Sequence, residues 1–134
     1  MTKLTVVEGI GGTYAAKLVE AGIRTAEALL KMGATPKGRK EIAEKSGIAE
    51  KLILEWVNHV DLFRIKGVGE EYSDLLEEAG VDTVVELAQR KAENLLAKMV
   101  EVNAEKKLVR QLPVLAQVSS WVEQAKKMER VIHY

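Results

Sequence analysis

The chain has 134 residues, 47% of them hydrophobic, and twenty Lys and Arg balance twenty Asp and Glu to a formal net charge of zero. That suffices for a packed core in one domain or two very small ones, and it excludes the basic excess of a protein that coats nucleic acid, so any anion site has to be local. Cysteine is absent, which excludes disulfides and thiolate metal sites. The opening stretch MTKLTVVEGIGG holds no apolar signal-peptide core, and no run approaches the roughly 18 apolar residues of a membrane helix, so the expectation is a soluble, cytoplasmic protein without membrane contact.

In chain order, Gly9-Ile10-Gly11-Gly12 comes first, a joint where backbone must turn sharply or be approached closely. Tyr14, Ala15, Leu18 and Val19 then form an apolar stripe at helical spacing, with Gly22 as its C-cap. Thr25 reads as the N-cap of a helix over Ala26 to Met32, and Thr35-Pro36 as a cap followed by proline at the first position of a helix through Glu41 to Glu44. Ile48, Leu52, Ile53, Trp56, Val57 and Val60 share one face of a longer helix, on whose polar side His59 is expected. Further on, Tyr72, Leu75, Leu76 and Ala79 stripe a helix, Thr83 caps a short one, and Lys91 to Met99 reads as helical with Asn103 as a break or cap. After Pro113 a final helix carries Val114, Leu115, Val118, Trp121, Val122, Ala125 and Met128, and residues 131–134 read as a tail. No alternating strand pattern competes, so the fold class is all-α.

Two halves of the chain repeat one another. VVEGIGGTYAAKLVEAGIRTAEALL lies over RIKGVGEEYSDLLEEAGVDTVVELA at a constant offset, pairing Gly9, Gly11, Tyr14, Leu18, Gly22 and Thr25 with Gly67, Gly69, Tyr72, Leu76, Gly80 and Thr83. Trp56-Val57 and Trp121-Val122 correspond at a larger offset, so the second copy carries extra residues. The expected organisation is a first unit over 1–61, a second over 62–130 and the tail over 131–134.

The hydrophobic-x-Gly-hydrophobic-Gly turn before a helix, followed by Ala-Gly-Ile-x-Thr, is similar to the helix-hairpin-helix motif, and VEGIGGTYAAKLVEAGIRTAEALL resembles the N-terminal domain of RadA/Rad51-type recombinases. EIAEKSGIAEKLILEWV resembles the second, degenerate hairpin of such a domain, with Ser46-Gly47-Ile48 in its turn; in the second copy that turn falls at Val100 to Asn103. The resemblance implies two five-helix, SAM-domain-like units. Taken whole, the two-copy chain resembles a family of bacterial and archaeal proteins classed as a domain of unknown function, which implies a fold rather than an activity.

In helix-hairpin-helix proteins the glycine turn grips a nucleic-acid phosphate through backbone N–H groups at a helix N-terminus, where unpaired donors and the helix dipole favour an anion. Carried over by residue, the resemblance implies phosphate contacts from Gly9, Ile10, Gly11, Gly12 and Thr13, with Lys17 one turn on. A weaker second site would comprise Arg64, Lys66, Gly67, Val68 and Gly69. Glu70 and Glu71, and the absence of Lys or Arg from residues 70 to 86, argue that this second turn is capped from within, whereas the first stays open. The plainer alternative is that both turns only let helices pack closely, with Ile10 and Val68 plugging the core.

Lys37, Arg39 and Lys40, then Lys106, Lys107 and Arg110, then Lys126, Lys127 and Arg130 are basic clusters read as solvated helix faces; Trp56, Trp121, Tyr14 and Tyr72 are read as packing residues. Two isolated histidines, His59 and His133, suggest no metal site, and the glycine run fits neither a Walker loop nor a dinucleotide fingerprint. The expectation is a binding module without catalysis, cofactor or metal, whose partner is a DNA or RNA backbone or, alternatively, another protein.

Overall fold

The computed structural model describes residues 2–134. Among them the chain is all-helical: α1 Gly12–Glu20, α2 Ala26–Met32, α3 Pro36–Ser46, α4 Glu50–Leu62, α5 Glu70–Glu78, α6 Val84–Ala88, α7 Ala92–Lys106 and α8 Leu115–Lys127, with a short 3-10 turn over Leu4–Val6. The residues divide into two compact units, Met1–Asp61 with Val131–Tyr134, and Leu62–Arg130. Each unit is built on four α-helices, where the family resemblance implies five.

Local chemistry accounts for the helix ends. Ala21 closes α1, Gly22 follows at φ +92°, and Gly22 N–H and Ile23 N–H donate back to the carbonyls of Val19 and Leu18, a Schellman closure. Gly80 at φ +96°, with Val81 N–H on Leu76 O, ends α5 in the same way. Ile23 and Val81, each fully buried, are the apolar contacts that accompany such a closure. Thr25 Oγ1 accepts from Ala28 N–H at 3.1 Å, Thr83 Oγ1 from Glu86 N–H at 3.0 Å and Thr35 Oγ1 from Gly38 N–H at 3.0 Å, which fixes the starts of α2, α6 and α3.

In the first unit α3 packs on α1 and α2. Gly38 allows the last contact: a Cβ there would sit 1.9 Å from the Met32 carbonyl oxygen. In the second unit α8 packs on α6 and α7, and α5 on α7. Its core runs from Leu62 through Leu75, Leu87, Leu95 and Met99 to Trp121.

Four features depart from the sequence reading. The helix expected to break near Asn103 runs on to Lys106, so no turn exists at Val100–Asn103. The left-handed residue that ends it is Lys107 at φ +50°, and the Asn103 side chain, still within the helix, clamps the following loop by bonding both the N–H and the carbonyl of Val109. His59 is 4% exposed rather than on a polar face. Arg39, 6% exposed, is no member of a solvated cluster with Lys37 and Lys40. Its guanidinium donates to Gly33 O at 2.8 Å and His133 O at 2.8 Å. Residues 131–134 are accordingly part of the first unit and not a loose tail.

Candidate functional site

The first glycine turn sits on an aromatic stack. Gly9 takes φ +91°, and a Cβ on it would lie 3.1 Å from Trp56 Nε1, so positive φ and close approach both demand glycine. Trp56, 2% exposed, meets Tyr14 edge-on with ring centroids 5.1 Å apart, and the Lys17 ammonium lies 5.9 Å from the Tyr14 centroid. Gly9, Trp56, Tyr14 and Lys17 thus form one continuous chain of contacts, which ties the turn to α4 and to the first two turns of α1.

Ile10 is 3% exposed and belongs to the core; its N–H is already bonded to Val7 O, so of this residue neither the side chain nor the amide is on offer. This removes one of the expected phosphate donors. Gly11 is the N-cap of α1, accepts from Ala15 N–H, and supplies no side-chain cap. Gly11, Gly12 and Thr13 are exposed, nothing lies within 4 Å of a Cβ built on either glycine, and the first turn of α1 holds no acid. The start of this nine-residue helix, the positive end of its dipole, is thus exposed, without a side-chain cap and without acid in its first turn.

The second turn has the same backbone and a different surface. Gly67 stands at φ +95°, where a Cβ would meet Trp121 Nε1 at 3.0 Å, and Tyr72 packs on Trp121 with ring centroids 5.2 Å apart. Val68 is 4% exposed and its N–H is held by Ile65 O, so it plugs this core as Ile10 does the other. Gly69 also lacks a side-chain cap, so the expected capping from within is not met: Glu70 and Glu71 oppose an anion by charge, not by closing the helix end with a hydrogen bond.

Beside this turn the Arg64 side chain and the Lys66 main chain are held in place. The Arg64 guanidinium donates to Glu129 O, at 3.1 Å through Nη2, and Lys66 is clamped to α8 through its backbone, its N–H on Gln124 Oε1 at 2.8 Å and its carbonyl accepting from Gln124 Nε2 at 3.2 Å. Where α1 has Lys17, α5 has the fully buried Leu75. Lys106 is paired with Glu78, whose carboxylate raises its pKa, and Lys126 with Glu123. The clamp by Gln124 leaves no signature in the sequence, because its partner lies 58 positions away.

Among the described residues the chain is all-α, and of its two glycine turns the first leads into a helix start free of acid and the second into one flanked by acidic side chains. The family model described as "Domain of unknown function (DUF4332)" matches residues 8–128, and the chain belongs to that family. No curated protein and no solved structure matches it. No helix among the described residues is long and apolar enough to cross a membrane.

Proposed function

We propose that the chain is a non-catalytic binding module of two helix-hairpin-helix units, and that its first unit makes weak, sequence-independent contact with the phosphates of a DNA or RNA backbone. One contrast carries the reading: Gly11, Gly12 and Thr13 leave the start of α1 exposed, uncapped and free of acid, whereas the matching start of α5 bears Glu70 and Glu71. The contact would run through the amides of Gly11, Gly12 and Thr13 and the Thr13 hydroxyl, with Lys17 adding charge one turn away. Gly9 and Ile10 shape the turn, and Gly67, Val68 and Gly69 do the same in the second unit.

Fluorescence anisotropy of a labelled duplex, titrated at several salt concentrations, tests this. A site gripping about two phosphates loses about tenfold in affinity as salt rises from about 50 to about 200 mM. Replacing Gly12 and Thr13 by Glu copies the second turn onto the first. Acid in the first helical turn leaves stability unchanged or raises it, while binding should vanish. Binding that survives both glutamates, or that ignores salt, overturns the reading.

A protein partner is the second reading. It is favoured by the zero net charge and by Val114 and Leu115, 59% and 41% exposed at the start of α8. A pull-down that recovers a stoichiometric protein after nuclease treatment supports it, and recovery that depends on nucleic acid sinks it.

A further inference from the structure

The segment Ile132–Tyr134 lies in the first unit as a bound peptide would. Ile132 is 2% exposed, while His133 and Tyr134 ride on the surface, the latter 57% exposed. His133 N–H donates to Ala34 O at 2.7 Å, and His133 O accepts from Arg39 Nη2 at 2.8 Å, so the main chain is read from both sides. The Tyr134 ring lies 6.0 Å from the Arg39 guanidinium carbon, and its hydroxyl donates to Asn58 Oδ1 at 2.7 Å. One buried aliphatic anchor, a main-chain pair and an aromatic tip with a polar end make up a recognition pattern with a defined register.

Arg39 is the residue that needs explaining. Four positions past the N-cap of α3 stands this buried guanidinium; four past the N-cap of α7 stands Leu95, fully buried. An apolar side chain thus satisfies the packing of such a helix, and burying a guanidinium in its place is costly unless its donors find partners. Arg39 finds them in Gly33 O, at the end of α2, and in His133 O, so half of its justification is the docked segment.

We propose that the groove formed by Ala34, Arg39 and Asn58 is a peptide-docking site of the first unit, specific for an extended aliphatic-x-tyrosine segment, and that residues 132–134 are its releasable occupant in the same chain. The site is separate from the glycine turn and does not depend on the phosphate reading. A peptide of this pattern competes with the internal segment, whose tethering gives it a high effective concentration.

The test uses the 134-residue chain. In an Ile132→Asp, Tyr134→Ala variant the internal segment no longer fits, and a fluorescein-labelled peptide of residues 126–134 is titrated against it by anisotropy. Saturable binding is expected, at least about tenfold tighter than to the unaltered chain, in which the groove is filled. It should disappear when Arg39→Leu is added, and a peptide carrying Tyr134→Ala should not bind. A folded variant that shows no saturable binding, binding indifferent to Arg39→Leu, or a variant that loses its fold would each overturn the proposal, the last by showing that the segment is an integral part of the core. Hydrogen exchange on the unaltered chain provides a second measurement: the His133 amide should exchange through local release, faster than the Leu29 and Ile53 amides, and exchange at their common rate counts against the site.

Discussion

A methyl group added at Gly38 meets the Met32 carbonyl oxygen at 1.9 Å, and backbone on both sides prevents either from yielding. Gly38→Ala should therefore cost about 3 kcal/mol, at the upper end of overpacking, seen as a lower denaturant midpoint with unchanged slope. Gly12 has empty space around it and helical neighbours, so Gly12→Ala should gain about 0.5–1 kcal/mol in the same measurement. These two glycines look alike in the sequence, and only their surroundings separate them. The same limit applies to His59 and Arg39. Position 59 lies three residues from Trp56 on α4, and Arg39 three from Ile42 on α3, so helical spacing puts both on buried faces while their polar type suggests water. Position is the better guide than residue type.

At the scale of elements, the features most legible in the sequence are those whose cause is local. Thr25, Thr35 and Thr83 cap the next helix within three residues, so the signal and its partner stand side by side. Removing the hydroxyl by Thr25→Ala or Thr83→Ala should cost about 1 kcal/mol each, read from chemical denaturation. The extent of α7 is illegible for the opposite reason: the repeat points to a turn near Asn103, but no Gly or Pro interrupts Ala92–Lys106, and Lys107 supplies the left-handed stop without glycine's signature. Thr2 adds a pH-dependent tie to α2. Its N–H donates to both Glu27 carboxylate oxygens, at 2.8 and 3.1 Å, and these bonds lower the Glu27 pKa below the ordinary glutamate value. A lowered folded-state pKa contributes stability above the unfolded value, about 4.3, that is lost as pH falls through the folded one. Glu27→Gln should flatten that part of an acid titration by lowering stability slightly at neutral pH and not in acid, the effect being small because the carboxylate is solvent-screened.

At the scale of the molecule, the second unit carries its own apolar core, drawn entirely from residues between Leu62 and Ala125. A fragment of residues 62–130 should fold alone with a cooperative melt, near the lower size limit for an independent domain. The first unit differs, because residues 1–61 by themselves lack Ile132 and the carbonyl of His133. A fragment of residues 1–61 leaves the Arg39 guanidinium with a missing partner, a loss of about 1–3 kcal/mol. The two contexts therefore assign opposite signs to one substitution. In the full chain Arg39→Leu removes two carbonyl contacts and destabilises; in the 1–61 fragment it removes a half-satisfied buried charge and should stabilise. Thermal melts of the four proteins measure this directly, and equal signs in both contexts would show that residues 131–134 do not support Arg39.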